Sequence, residues 1–406
     1  MTPSHDNKTI AITSYGHGLC HMAELAFAAV IPAVMSEYSL PADQAVALGI
    51  PGLMMFGLAA PVAGFWADRR GYREALLGYY LLVALAAVFI IFCSPSAWLL
   101  MAGLTFLGVA ISIYHPVGMA MLANCQNRGR AMGINGVAGS VGIAIGPAFA
   151  IFVGSWRLTY ALIAACASIG FVATLFVQSG RRPSAKPVEP AKATSHAKSE
   201  LPIRTAVILL TMLFAAVAIG GFNYRSLMTA LPSYLNDSGN VSATDYAFAG
   251  SHKSAVVVFI VLAMGGFGQM LGGYLADRFS VPKLYVSTIL ISAPFAYCLS
   301  QSSAQAGAWF AAGLAVFMFA QQPLENTMIA VVTPAKWRST IYGLKFILAF
   351  GVASSGMYVA GFIWENYGIN RVFAFFAAMA IVMAGLALLL AWGFRNAQNG
   401  GLPVGK

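Results

Sequence analysis

The stretch Gly64-Phe65-Trp66-Ala67-Asp68-Arg69-Arg70-Gly71-Tyr72-Arg73 is a short charged patch between two long apolar runs. A weaker copy stands between two later apolar runs, at Gly273-Tyr274-Leu275-Ala276-Asp277-Arg278-Phe279. The two copies share the pattern Gly-x-x-x-Asp-Arg and lie about half a chain length apart. A charged connection that is repeated between hydrophobic segments indicates a duplicated membrane protein of the transporter type.

The composition points to a membrane protein as well. Of the 406 residues, 59% are hydrophobic and 9% are charged, whereas a soluble domain carries roughly 25% charged residues. Apolar runs of about 20 residues recur along the chain, which is enough to cross a bilayer core of roughly 30 Å as helices. The runs do not alternate polar and apolar residues, so they do not indicate a transmembrane β-barrel.

Twelve transmembrane helices are predicted, and we number these spans 1 to 12. Their expected bounds lie near residues 11–35, 45–66, 75–93, 97–123, 131–153, 157–178, 205–235, 250–276, 284–300, 305–331, 339–363 and 370–395. Residues 179–204 contain six lysines and arginines and no aromatic residue, which is typical of a solvated linker. The predicted domains are therefore a six-helix bundle at 1–178, a linker at 179–204 and a second six-helix bundle at 205–406.

Lysine and arginine residues predict the orientation in the membrane. Most of the 23 basic residues fall in the connections after even-numbered spans, in the linker and in the two tails. By the positive-inside rule, the linker and both termini are expected in the cytoplasm.

The two halves also match inside the spans. His115-Pro116 in span 4 corresponds to Gln322-Pro323 in span 10, and Arg128 before span 5 corresponds to Arg338 before span 11. Two such units related by an axis through the membrane are expected to enclose a cavity near the bilayer centre.

These residues resemble the major facilitator superfamily over essentially the whole chain. The stretch from Gly64 to Arg73 is similar to that family's signature between its second and third helices. There, the aspartate and arginines form a cytoplasmic charge cluster that locks one access state. The resemblance implies an all-α integral membrane fold and a secondary transporter that works by alternating access. It also implies a conformational gate, formed by Asp68, Arg69, Arg73, Asp277 and Arg278.

Two local patterns resemble the fosmidomycin-resistance branch of this superfamily. One is His17 followed by Pro32 in span 1, and the other is Tyr114-His115-Pro116 in span 4. The chain departs from that branch at His21, where an aspartate is usual, so the branch's substrate is not carried over.

Ionisable residues inside the spans are the first functional candidates, because a charge at the bilayer centre costs roughly 2.5–3.5 kcal/mol on insertion scales. Together with nearby polar residues they give a set of expected substrate-binding residues. This set is His17, His21, Glu24, His115, Asn223, Tyr224, Arg225, Gln322, Glu325 and Lys345. Glu24 and Glu325 are the expected proton-coupling residues.

Glu24 has no lysine or arginine one helical turn away, so we expect it to be buried without a partner and to exchange protons. Glu325 and Lys345 lie at similar depths from the cytoplasmic end of their spans and are expected to pair. Arg225 either holds an anionic substrate or reaches towards the outer interface.

Three histidines are expected to come close together. His17 and His21 share one face of span 1, and His115 lies at a similar depth in span 4. Such a group can relay protons, since histidine titrates near neutral pH, or bind a transition metal. In a third interpretation each histidine only bonds a neighbouring helix.

The sequence predicts a secondary transporter of the bacterial inner membrane that exports a small polar or anionic solute by proton exchange. The alternative is a transporter of a transition metal or metallophore through His17, His21 and His115. A non-transporting membrane sensor or assembly factor is a third class. No phosphate-binding loop or nucleophile motif indicates an enzyme or an ATP-driven pump. We expect a monomer whose partners are its solute and the lipid bilayer, without nucleic acid and without a cofactor beyond the proton gradient.

Overall fold

The computed structural model describes residues 3–92, 96–176, 201–235, 252–351, 353 and 355–402, and no strand occurs among them. The α-helices are α1 Pro3–Tyr38, α2 Ala42–Ala47, α3 Ile50–Leu58, α4 Ala60–Arg70, α5 Tyr72–Phe92, α6 Ala97–Ser112, α7 Tyr114–Leu122, α8 Arg128–Val153, α9 Trp156–Leu175, α10 Ile203–Leu235, α11 His252–Ala276, α12 Val281–Gln301, α13 Ala304–Val332, α14 Arg338–Phe346, α15 Ser355–Tyr367 and α16 Ile369–Asn399. A 3₁₀ turn at Ala335–Trp337 precedes α14, and a π-helical turn at Ile347–Gly351 follows it.

These helices form the twelve predicted spans, six in each half. Within the described residues, nine helical stretches are long and apolar enough to cross a membrane, and α2–α4 form a tenth span that bends by 42°. Helices α8 and α13, with 26 and 29 residues, supply the other two spans. At about 1.5 Å per residue, both exceed the roughly 30 Å of a bilayer core.

Three spans that were predicted as single helices are built from shorter pieces. Span 2 bends just before Pro61, and span 4 is interrupted at Ile113, three residues before Pro116. Proline has no backbone N–H and its ring crowds the preceding turn, so an unbroken helix is disfavoured at both places. Span 11 is interrupted by the π-helical turn at Ile347–Gly351.

Two predicted boundaries also differ from the structure. Helix α1 begins at Pro3 instead of residue 11, and the Asp6 carboxylate anchors this added segment by accepting the Gln126 N–H at 2.9 Å. The predicted linker at 179–204 falls mostly outside the described residues, and α10 begins at Ile203.

The two halves meet most extensively along two pairs of helices, α4 with α14 and α8 with α11. The glycine of each repeated motif lies at the closest approach. A Cβ atom on Gly64 would overlap the Ser339 carbonyl oxygen, and one on Gly273 would overlap the Gly129 carbonyl oxygen. Only glycine lets the backbones approach this closely, as at other helix contacts between membrane spans.

One helical turn after each glycine, the motif aspartate binds the start of a helix in the opposite half. Asp68 accepts the backbone N–H groups of Ser339 at 3.0 Å and Thr340 at 2.8 Å, at the start of α14. Asp277 accepts those of Gly129 at 2.8 Å and Arg130 at 2.7 Å, at the start of α8. Carboxylates are favourable there because they satisfy free N–H groups and face the positive end of the helix dipole.

We call these two glycines, the two aspartates and the helix starts that they contact the terminus-side lock. It lies at the end of the molecule that carries the N-terminal segment, where Asp6 contacts Gln126 just before α8.

The arginines of the expected gate make contacts that differ from those of the aspartates, and the role of the five residues as a gate stays a prediction. The Arg69 guanidinium lies 3.9 Å from the ring centroid of Phe65. Arg278 lies 3.9 Å from that of Tyr274. Arg73 donates to the carbonyl of Leu175 at 2.8 Å. These contacts stay within one half, and it is the aspartates that join the halves.

Replacing Asp277 by asparagine should loosen the terminus-side lock, because it removes the charge that faces the start of α8. The loss of about 0.3–1 kcal/mol corresponds to a roughly 2- to 5-fold larger open population. Cys125 reports this opening, since it is 4% exposed beside α8 and burial raises the pKa of its thiol to about 12. Its alkylation rate should rise by the same factor in a protein whose other four cysteines are serine.

The matched control is Glu365→Gln, which removes an exposed carboxylate from α15. It should leave the Cys125 alkylation rate unchanged. An unchanged rate in Asp277→Asn as well would show that the carboxylate does not hold the halves together.

Candidate substrate cavity

A cavity that is partly open to solvent lies between the two halves and is lined by residues of both. Seven of the ten predicted binding residues line it: His17, His21, His115, Tyr224, Gln322, Glu325 and Lys345. The other three, Glu24, Asn223 and Arg225, do not.

The first half contributes three histidines to the cavity wall, and we call His17, His21 and His115 the histidine cluster. The first two lie one turn apart on α1, and His115 follows the break between α6 and α7. The His115 ring centroid lies 5.0 Å from that of His17 and 5.2 Å from that of His21. On its other side, His115 stacks on Phe346 of the second half at 4.2 Å. The predicted grouping is thus present.

Hydrogen bonds fix the orientation of two of these rings. His17 Nδ1 lies 2.7 Å from the carbonyl oxygen of Asn135. Because a carbonyl only accepts, this nitrogen carries a proton, and the Nε2 of a neutral His17 is then an acceptor. His21 Nε2 lies 3.2 Å from it and is assigned as the donor. The chain of hydrogen bonds therefore runs from Asn135 through His17 to His21.

The chain continues to Glu24, and this corrects the expectation that Glu24 has no partner. His21 Nδ1 lies 2.7 Å from Glu24 Oε2, and Arg225 Nη2 lies 3.8 Å from Glu24 Oε1. The histidine lies three residues away on the same helix, where the sequence shows no lysine or arginine. The arginine comes from the other half, so its distance along the chain does not indicate the contact. The coupling role of Glu24 stays a prediction.

The Glu24–Arg225 contact joins α1 of the first half to α10 of the second half. Glu24 lies seven residues beyond His17, which is about 10 Å farther from the chain termini along the helix. The Arg225 guanidinium also lies 5.3 Å from the ring centroid of Phe350. Arg225 thus bridges the halves on the side of the cavity opposite the terminus-side lock, instead of lining the cavity as expected.

The second half contributes an ion pair. Lys345 Nζ lies 2.9 Å from Glu325 Oε2, and the two side chains are 5% and 8% exposed, so their expected pairing is present. The Tyr285 hydroxyl donates to Glu325 Oε1 at 3.0 Å, and Lys345 donates to Asn326 Oδ1 at 2.7 Å. These added hydrogen bonds help to offset the cost of removing two charges from water.

Several polar atoms in the cavity wall have no hydrogen-bond partner among the described residues. They are His115 Nε2, Asn135 Oδ1, Ser140 Oγ and Gln269 Oε1. Buried polar groups are normally paired, so these four atoms are available to a ligand. Sequence reasoning missed Asn135, Ser140 and Gln269, because a single amide or hydroxyl inside an apolar span is a weak signal.

Comparison with known proteins identifies the family of this two-half architecture. A family model described as Major Facilitator Superfamily matches residues 13–265 and 213–403. The chain belongs to the Major Facilitator Superfamily. It is therefore a multi-pass membrane transporter and not an enzyme. The family and fold that the sequence predicted are confirmed.

Two relatives align with this transporter over most of their length. The uncharacterized MFS-type transporter YfnC of Bacillus subtilis is 25% identical over 383 residues, which cover 92% of this chain and 91% of YfnC. The fosmidomycin resistance protein of Escherichia coli is 24% identical over 393 residues, which cover 91% of this chain and 89% of that protein. Among solved structures, FucP in the outward conformation matches with a TM-score of 0.68 and 16% identity, over 94% of this chain and 98% of FucP.

The buried Glu325–Lys345 pair should stabilise this transporter far more than a surface pair does. Glu325→Gln leaves the Lys345 charge buried without its counter-ion, which should lower the free energy of unfolding by about 3–5 kcal/mol. The double variant Glu325→Gln/Lys345→Met removes both charges and should lose less than the single variant. Unfolding in mixed detergent micelles measures both values.

Glu37→Gln is the control, because the Glu37–Arg157 pair is partly exposed at 35% and 42%. It should cost at most about 1 kcal/mol. A Glu325→Gln variant no less stable than this control would mean that the cavity pair is fully hydrated.

Proposed function

We propose that this transporter exports a small polar or anionic solute from the bacterial cytoplasm in exchange for protons. The observation that carries the proposal is the buried Glu325–Lys345 pair, which lies in the wall of the cavity between the two halves. A carboxylate in that position can meet both a solute and a proton.

Competition at Glu325 would couple the two movements. A solute that presents an acceptor group to Lys345 and a hydroxyl or amine donor to Glu325 can insert between them. This requires an ionised carboxylate, because a protonated one loses its charge and part of its capacity to accept. A proton and the solute therefore exclude each other at Glu325, as exchange requires.

Neighbouring side chains hydrogen-bond both members of the Glu325–Lys345 pair. The Tyr285 hydroxyl binds the second carboxylate oxygen from α12, and Asn326 holds Lys345. Across the cavity stand the three members of the histidine cluster. Glu24 is the less suitable coupling residue, because it lies outside the cavity wall and is held by His21 and Arg225.

Alternating access would require the two ends of the molecule to open in turn. In this proposal residues 1–178 rock against residues 205–395. The terminus-side lock closes one end, and the Glu24–Arg225 bridge lies towards the other. Both are charge-assisted contacts between the halves, so each can be remade after it opens.

The direction and location of transport rest on separate arguments. Basic residues favour a cytoplasmic location for both termini and for residues 179–204, in the inner membrane of a bacterium. An inward proton gradient would then drive export without a bound cofactor. A relative named for resistance to fosmidomycin favours export as well. We propose that the transporter acts as a monomer.

The first test is growth of a deletion strain, with and without a plasmid copy, on a panel of toxic polar and anionic compounds that includes fosmidomycin. We expect the plasmid to restore resistance to at least one compound. That compound then serves as the probe in inside-out vesicles, where an imposed pH gradient should drive its uptake.

Glu325→Gln should abolish both uptake driven by the pH gradient and the exchange of labelled for unlabelled probe. Neutral glutamine fills the same space and cannot bind or release a proton, and it resembles the protonated carboxyl group, which in this proposal does not hold the solute. Glu24→Gln, the matched change outside the cavity wall, should keep gradient-driven uptake. The opposite pattern, with uptake lost in Glu24→Gln and kept in Glu325→Gln, would move the coupling site to Glu24.

A further inference from the structure

We propose that the histidine cluster is a binding site for one divalent transition-metal cation. His17, His21 and His115 would each supply a ring nitrogen, and the fourth coordination position would face the cavity. Imidazole nitrogen suits cations such as Co²⁺, Ni²⁺, Cu²⁺ and Zn²⁺, whereas Mg²⁺ and Ca²⁺ prefer oxygen ligands. The three histidines belong to the first half and Glu325 and Lys345 to the second, so the site uses neither residue of the proposed proton exchange.

The spacing of the nitrogens fits a tetrahedral ion. One nitrogen from each of the three histidines lies within 4.8 Å of the other two. A metal–nitrogen distance of about 2.0–2.1 Å in a tetrahedral site places the ligand nitrogens roughly 3.3–3.4 Å apart. His17 Nε2 and His21 Nε2 are already 3.2 Å apart. Rotation of the His115 ring closes the remaining distance.

The third histidine, His115, offers a buried ring nitrogen that makes no hydrogen bond among the described residues. His115 is only 4% exposed, and its Nε2 has no hydrogen bond among the described residues. Leaving a buried polar group unsatisfied costs about 1–3 kcal/mol. An explanation of the histidine cluster as structural helix contacts accounts for His17 and His21 but leaves this nitrogen unused.

In His17 and His21, the ring nitrogen that would not bind the cation is held as in known metal sites. A metal-binding histidine usually donates its second N–H to a carbonyl or a carboxylate, which fixes the ring and strengthens the ligand. His17 has the Asn135 carbonyl oxygen 2.7 Å from Nδ1, and His21 has Glu24 Oε2 at 2.7 Å. Both Nε2 atoms are thereby turned towards each other, and a cation would take the place of the proton between them.

The cavity offers further ligands to such a cation. Three protein ligands and an open position are the pattern of sites that exchange a water or a substrate group. The thioether residues Met119 and Met132 line the same cavity, so its surroundings also tolerate softer cations. The cation would thus bind a donor group of a solute in the cavity, or travel alone.

Titration of the purified full-length protein with cobalt(II) chloride tests the site, with no affinity tag present. We expect one equivalent of Co²⁺ with the intense visible absorption of a four-coordinate ion. His17→Gln and His115→Gln should each abolish that absorption. Glu24→Gln should weaken binding about 10- to 100-fold, because a neutral amide replaces the carboxylate that orients His21 and strengthens it as a ligand.

The matched control is His196→Gln, a histidine change in residues 177–200, which should bind Co²⁺ as the unchanged protein does. Thermal unfolding without metal shows whether each variant is folded. X-ray absorption of the unchanged protein with one equivalent of zinc needs no variant and should show at least three nitrogen ligands at about 2.0–2.1 Å. Absence of one-equivalent binding, oxygen-only coordination or full binding by folded His115→Gln would overturn the proposal.

Discussion

The architecture depends on two carboxylates that cap helices across the interface between the halves. Asp68 binds the start of α14, and Asp277 binds the start of α8. In each case a glycine one turn earlier lets the backbones meet. The charge is placed where free N–H groups and the helix dipole favour it, so a short motif between spans joins the two bundles. Both aspartates use backbone donors, and Asp68 also accepts the Thr340 hydroxyl at 2.7 Å.

A few ionisable residues lie in and beside the cavity, in an interior that is otherwise mostly apolar. Glu325 and Lys345 pair on one wall, and the histidine cluster stands on the other. Glu24 and Arg225 bridge the halves beyond the cavity. Apart from His115, whose Nε2 has no hydrogen bond among the described residues, each of these groups has a partner of opposite charge or a hydrogen bond, as burial away from water requires. The cavity therefore combines a charged wall and an imidazole wall within one small space.

Much of the fold and part of the candidate site could be predicted from the sequence, because long hydrophobic runs and duplication are strong signals. The spans, the two halves, the motif aspartates and the clustering of His17 and His21 all follow from position along the chain. The targets of Asp68 and Asp277 do not, since every residue carries a backbone N–H. Arg225, the second partner of Glu24, comes from the other half, which no spacing rule within one helix reveals. The π-helical turn at Ile347–Gly351 depends on packing that the sequence alone does not specify.

Reciprocal capping also bears on how such transporters change over evolutionary time. Each bundle carries both the carboxylate that the other bundle needs and the helix start that receives the other's carboxylate. A chimaera assembled from one bundle of this chain and the complementary bundle of a distant relative would keep both contacts as long as the glycine spacing is preserved. Substrate-contacting residues can therefore diverge within each bundle while the bundles remain interchangeable at their junction.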